Sequence, residues 1–111
     1  MKRLEAFIQP HRLNKVIRAL HELPRFPGCT ICNAHGQGHG RGTGGHYSFA
    51  DAEGLHHQAR CIVVIYCADE EADSIACTIQ RSAHTGHAGD GFVAVSDCPQ
   101  CLRIRDEGGG A

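Results

Sequence analysis

The chain has 111 residues, a length that suits one domain with a core of modest size. Its 11 basic and 12 acidic residues give a formal charge of −1, which argues against a nucleic-acid or membrane-surface binder. The sequence has no run of 18 apolar residues and no leader pattern, so we expect a cytoplasmic protein.

The first half of the chain predicts two strands, a helix and a loop. A strand over 4–9 ends at Pro10, and a helix follows from Arg12. The apolar positions of that helix recur at helical spacing: Leu13, Val16, Ile17, Leu20 and Leu23. A second strand is predicted over 28–34. The segment 36–45 holds six glycines in ten residues, so we expect it to be mobile.

The second half of the chain repeats the order of strand, helix and strand. The continuous apolar run 60–67 predicts a central strand that is covered on both faces. A helix follows from near Asp69, and a strand is predicted over 92–95. We also expect a short closing strand at Leu102 and a frayed tail over 106–111.

This order predicts one α+β domain, a ferredoxin-like βαββαβ fold with an antiparallel sheet and both helices on one face. The other face of that sheet would be apolar and without helices. We therefore expect a homo-oligomer.

A glycine-rich turn at 85–91, T-G-H-A-G-D-G, is the most informative motif of the chain. Glycines let backbone N–H groups approach phosphate oxygens, and the guanidinium groups of Arg103 and Arg105 can bind phosphate. The same turn is also ordinary chemistry between a helix and a strand, so the motif alone leaves both interpretations open.

Three segments resemble the P-II signal-transduction family: the opening M-K-R-L-E-A-F-I-Q-P, the run R-S-A-H-T-G-H-A-G-D-G at 81–91, and L-R-I-R at 102–105. The resemblance implies a compact homotrimer with adenine nucleotides in the clefts between subunits, and we expect ADP, AMP or ATP as the ligand. It also implies a flexible T-loop over about 36–54 that docks onto a protein target, often a membrane transporter or an enzyme.

By the same resemblance, two segments and the two arginines would line the nucleotide site. The implied residues are Thr30, Gly36, Gly38, Thr85, Gly86, His87, Gly89, Asp90, Gly91, Arg103 and Arg105.

The chain departs from the family at several charged positions. A glutamine that helps to hold Mg-ATP and 2-oxoglutarate falls at Gly40, and lysines of the family fall at Gln58, His87 and Phe92. Each lost charge-assisted contact is worth about 1.5–3 kcal/mol, which argues against 2-oxoglutarate as a ligand. The stretch H-E-L-P at 21–24 is most similar to the branch found beside heavy-metal efflux pumps.

Nine histidines and seven cysteines suggest a second kind of chemistry. The candidate ligands for Zn, Cu, Ni or Co are His35, His39, His46, His56 and His57 in or beside the loop, with Cys98 and Cys101 as a metal half-site or a redox pair. The alternatives are polar loop residues and small apolar packing residues. Cys29 and Cys32 would point to opposite faces of a strand, so we interpret them as packing residues, and we expect Cys61, Cys67 and Cys77 to be buried.

The sequence therefore supports a nucleotide-binding regulator of a transporter or efflux pump as the first hypothesis. A metal-responsive protein and a regulator linked to bicarbonate uptake are the alternatives. No Ser/His/Asp or paired-carboxylate constellation can be placed, so we do not expect an enzyme.

Overall fold

A computed structural model describes residues 1–36 and 58–107. The elements in chain order are β1 (Lys2–Ile8), α1 (Leu13–His21), β2 (Thr30–Gly36), β3 (Gln58–Cys67), α2 (Ala72–Ala83) and β4 (Phe92–Asp97). Single 3-10 turns lie at Pro10–Arg12, Asp69–Glu71 and Ile104–Asp106. Within this part of the chain, neither helix is long enough to cross a membrane.

The four strands form one antiparallel sheet in the order β2-β3-β1-β4. The two inner strands pair along their length, with Leu4 opposite Ile65 and Ala6 opposite Val63. The strand β4 closes the other side of β1, where Phe92 lies opposite Phe7. This order confirms the predicted ferredoxin-like α+β fold.

The core lies between the helices and one face of the sheet. Alternate residues of the inner strands are buried there, because successive side chains of a strand point to opposite faces. The fully buried large side chains are Leu4, Ile8, Leu20, Ile65, Ile75, Ile79, Val16 and Val63. The apolar stripes predicted for both helices supply their share of this core.

The opposite face of the sheet, which we call the open face, has no helix over it within the described chain. Phe7 and Phe92 stack there with ring centroids 4.8 Å apart, and Phe92 is 60% exposed. Arg3 and Glu5 form an ion pair on the same face at 2.9 Å. The helices therefore cover β3 on one face alone, and within the described residues nothing supplies the predicted cover on its second face.

Four details of the sequence prediction are wrong. Cys32, interpreted as a packing residue, is exposed, because it lies on the open face of the sheet. The strand β2 lies two residues further along the chain than predicted, at Thr30–Gly36. Cys77 is exposed, because it lies about 200° around the helix from Ile75, away from the core. No strand forms at Leu102, which is 65% exposed and is followed by a 3-10 turn, since the segment pairs with no strand in the described chain.

Replacement of a core side chain in α2 tests this packing. We expect Ile79→Ala to lower the free energy of unfolding by about 2–5 kcal/mol, because the side chain is fully buried. Cys77→Ala, two residues earlier on the exposed side, should change it by less than about 0.5 kcal/mol. Urea unfolding of both variants at one protein concentration measures the difference, and equal losses would contradict the described packing.

Candidate functional site

The glycine-rich turn joins α2 to β4 and is held together by one carboxylate. Asp90 accepts hydrogen bonds from the backbone N–H of Thr85 at 2.9 Å, from the N–H of Gly86 at 3.0 Å, and from the Thr85 hydroxyl. These hydrogen bonds lower the pKa of Asp90 from 3.8 to about 2, and the bond from the Thr85 hydroxyl has the largest effect. Asp90 therefore stays ionised at neutral pH and fixes the shape of the turn.

Three glycines give the turn its path. Gly86, Gly89 and Gly91 have φ angles of +88°, +93° and +95°, values that favour glycine. Gly91 also passes so close to β1 that a methyl group on it would lie 1.7 Å from the Phe7 carbonyl oxygen. The turn is thereby pressed against the carboxyl end of β1.

The middle of the turn keeps backbone donors for a ligand. Among the described residues, the N–H groups of Ala88, Gly89 and Asp90 donate no hydrogen bond, whereas the N–H of His87 donates to the Thr85 hydroxyl at 3.2 Å. Consecutive N–H groups in such a turn form a concavity suited to an anion. The donors nearest Thr85 are already used internally.

A cationic side chain that sequence reasoning missed lies beside these donors. A methyl group on Gly89 would lie 3.3 Å from Nη2 of Arg60, and one on Gly36 would lie 3.6 Å from Cγ of the same arginine. Gln9 donates from Nε2 to the Gly89 carbonyl at 3.0 Å, and Arg60 donates from Nη2 to Oε1 of Gln58. The arginine thus spans the space between two glycine segments that were assigned to phosphate binding.

The signal for Arg60 is present in the sequence. The residue belongs to the strand run 60–67, and strand alternation places it on the same face as Ile62. The register of the paired strands is needed to determine which turn lies next to Arg60 on that face. In this sheet Ala34 pairs with Arg60 and Gly36 with Gln58, which brings the end of β2 alongside.

Arg103 and Arg105 lie away from this cluster. The turn precedes β4 at Phe92, opposite Phe7, whereas β4 ends at Asp97, opposite Lys2 at the other end of β1. The two arginines follow that far end and are exposed; Arg105 Nε lies 4.0 Å from Asp106, and Arg103 makes no side-chain hydrogen bond with any described residue. Within the described residues, neither arginine makes a hydrogen bond or an ion pair with the turn.

The remaining predicted ligand residues are distributed over the surface. Thr30 is exposed at the start of β2, opposite Val64 on the open face, and His87 is exposed in the turn. Gly38 lies outside the described residues. For these positions, ligand binding stays a prediction.

The described residues do not assemble a metal site. His35 is exposed on β2, Cys98 is half-buried and Cys101 is exposed. Within 1–36 and 58–107 there is no group of three or more His, Cys, Asp or Glu side chains that could hold a metal ion. The other predicted ligands, His39, His46, His56 and His57, lie outside the described residues, so metal binding stays a prediction.

The fold and the turn define a small ferredoxin-like α+β domain with an anion-compatible turn at one end of its sheet. The model of the family "Nitrogen regulatory protein P-II" matches residues 1–108. Proteins of that name are 34% identical over 105 residues in Rhizobium meliloti, covering 95% of this chain and 92% of the relative, and 33% identical over 113 residues in Azospirillum brasilense, covering 100% and 99%. A relative of the same name in the alga Porphyra purpurea is 32% identical over 105 residues, covering 95% and 92%.

The chain therefore belongs to the P-II family. Proteins of this family are signalling regulators that act on protein targets and are not enzymes, and the chain is such a regulator. The finer prediction of the heavy-metal branch stays a prediction.

The close approach of the turn to β1 predicts an asymmetric cost for two glycine substitutions. Gly91→Ala places a methyl group 1.7 Å from a backbone oxygen at a φ of +95°, so we expect a loss of more than about 3 kcal/mol of unfolding free energy. Gly28→Ala, at a φ of +104° with nothing within 4 Å, should cost only about 1–2 kcal/mol. Thermal unfolding measures both losses: Gly28→Ala reports backbone strain alone, and Gly91→Ala reports the same strain together with the steric clash. Equal losses of stability in the two variants would contradict the contact with Phe7.

The depressed pKa of Asp90 predicts a defined acid dependence. Because the folded state holds this carboxylate with a pKa of about 2, against 3.8 ordinarily, its contribution to stability is complete above about pH 4 and is lost as the pH falls through about 2. In Asp90→Asn that part of the pH dependence should disappear, while Glu70→Gln, at an exposed carboxylate, should keep it. Urea unfolding at a series of pH values from 2 to 5 measures the slopes; an unchanged slope in Asp90→Asn would show that the carboxylate does not anchor the turn.

Proposed function

We propose that the protein is a P-II-type regulator that binds an adenine nucleotide, ADP or ATP, at the glycine-rich turn. The observation that carries the proposal is the position of Arg60, whose side chain lies between Gly36 and Gly89, beside turn N–H groups that donate no hydrogen bond to a described residue. A guanidinium beside unpaired backbone donors is a suitable environment for a di- or triphosphate.

The charge balance of the site supports a nucleotide without 2-oxoglutarate. Where the family resemblance expects lysines, this chain has Gln58, His87 and Phe92. The side chains of Phe92 and Gln58 are neutral, so neither brings a positive charge to the site. Phe92 stacks on Phe7, and Gln58 accepts a hydrogen bond from Arg60. Arg60 partly compensates for these losses, and we expect a single anionic ligand of modest affinity.

A second copy of the chain would complete the site. Arg103 and Arg105 follow the end of β4 that lies opposite the turn, and both are exposed, so they could meet phosphates held by a neighbouring copy. The open face gives such a copy an apolar surface, with Phe92 60% and Tyr66 43% exposed. We therefore retain the homotrimer of the family resemblance, with the nucleotide between subunits.

The position of the site also suggests how a ligand could be reported to a partner. The segment 37–57 leaves the sheet at Gly36 and returns at Gln58, and these two residues pair with each other beside Arg60. A phosphate held by Arg60 would therefore influence the conformation of Gly36 and Gln58, where that segment begins and ends. The segment itself lies outside the described residues. The proposed partner is a protein target, a transporter or a metal-efflux pump, and the proposed location is the cytoplasm.

Titration calorimetry with ATP and with ADP tests the proposal. The wild-type chain should bind one of them with a Kd in the micromolar range. Arg60→Gln should weaken it by at least about tenfold, because a charge-assisted hydrogen bond is lost, whereas Arg18→Gln on the outer side of α1 should have no effect. No binding heat from either nucleotide, or equal affinities for the two variants, would contradict the proposal.

The metal-responsive and bicarbonate-linked alternatives rest on the sequence alone. No described residue cluster favours either of them, and most of the candidate histidines lie outside the described ranges. Titration of chelator-stripped protein with Zn²⁺ during the same experiment would detect the first alternative. A zinc-dependent shift in nucleotide affinity would show that the two sites are coupled.

A further inference from the structure

The segment that carries Arg103 and Arg105 begins with two cysteines separated by Pro99 and Gln100. Cys98 is attached to the sheet, because its backbone N–H donates to the Met1 carbonyl at 2.9 Å. Cys101 lies three residues further on, outside any helix or strand, and is exposed. Both thiols are free.

The Cys98 thiol contacts the backbone directly before the second cysteine. The chain bends at Pro99, and the Cys98 thiol donates to the Gln100 carbonyl oxygen at 3.4 Å. That oxygen belongs to the peptide bond that joins Gln100 to Cys101. The Cys98 sulfur thus already lies over the bend, against the backbone that carries its partner.

A second pair with the same spacing has the opposite arrangement. Cys29 packs against the core, and its burial raises the pKa of its thiol. Cys32 is exposed on the open face, opposite Ile62. A sheet separates the two sulfurs, so this pair cannot close without unfolding β2.

We propose that Cys98 and Cys101 form a redox-active dithiol that exchanges with low-molecular-weight disulfides such as oxidised glutathione. The exposed Cys101 thiolate attacks one glutathione sulfur, which breaks the glutathione S–S bond and releases one glutathione thiolate. The Cys98 thiolate then attacks the Cys101 sulfur of the mixed disulfide and releases the second glutathione. Two protein thiols are oxidised to one disulfide, and one molecule of oxidised glutathione is reduced to two thiols.

The disulfide would restrain the arginines. The reduced segment is free to open to about 10 Å between the two Cα atoms, whereas a disulfide would hold them within about 6.8 Å. Because Cys98 is attached to β1, closure would draw Cys101 toward the sheet and shorten the reach of Arg103, two residues later. If the Arg103 guanidinium is displaced by a few ångströms from a phosphate oxygen, the hydrogen bond between them is broken. This consequence, unlike the exchange itself, rests on the proposed function.

The exchange is tested on the full reduced chain, incubated with a series of ratios of oxidised to reduced glutathione. Free thiols are then alkylated, and peptide mass spectrometry locates the disulfide. We expect an intrachain bond between Cys98 and Cys101 in the wild type and in Cys29→Ser/Cys32→Ser, and none in Cys98→Ser/Cys101→Ser. No bond at 98–101, or a bond that joins two chains there, would overturn the proposal.

Two readouts then test the restraint separately from nucleotide binding. Oxidation should weaken ATP binding by at least about tenfold, through lost arginine contacts, and should slow trypsin cleavage after Arg103 several-fold. A disulfide that changes neither readout would overturn the switch. If the reduced protein binds no nucleotide, the proposed function fails, while the trypsin rate still decides whether the arginine segment is restrained.

Discussion

The contact between the backbone of Gly91 and the carbonyl group of Phe7 is the constraint on which the functional end of the molecule depends. With the methyl position only 1.7 Å from that oxygen, glycine alone lets the turn lie against β1. The contact fixes where β4 begins, and it places Phe92 on Phe7. Asp90 then holds the start of the turn through three hydrogen bonds, so that Gly89 lies beside Arg60.

The candidate site follows from that placement because three separate segments meet there. The turn supplies backbone donors, β3 supplies Arg60, and the paired residues Gly36 and Gln58 form the base of the segment 37–57. Anion binding and the conformation of that base would therefore share the same atoms. The far end of β4 has a different character: its cysteine pair and exposed arginines follow the end of the strand that lies opposite Lys2, whereas the turn lies at the end opposite Phe7.

Local patterns were sufficient for the elements and the family, but not for the contacts between segments. The period of α1 predicted its buried face correctly, whereas the apolar run of β3 predicted cover on both faces and only alternate residues of the strand are buried. Burial of Cys77 was predicted from its apolar neighbours, but its angular position on α2 points it away from the core. A strand was predicted at Leu102 from its apolar character, but no described strand pairs with it. Arg60 was missed, since only the sheet register brings it to Gly89. Asp90, expected to face a ligand, directs its carboxylate to Thr85 and Gly86 within the turn.

The central claim is that a nucleotide site is shared between two copies, with Arg60 from one and the arginine pair from the other. Co-refolding Arg60→Gln chains with Arg103→Ala/Arg105→Ala chains, followed by titration with ATP, tests this most directly. If the site is shared, about a quarter of the clefts in an equal mixture regain both halves and bind with wild-type affinity, although each variant alone binds weakly. If the mixture binds no better than the separate variants, the arginines do not act across the interface and the account is contradicted.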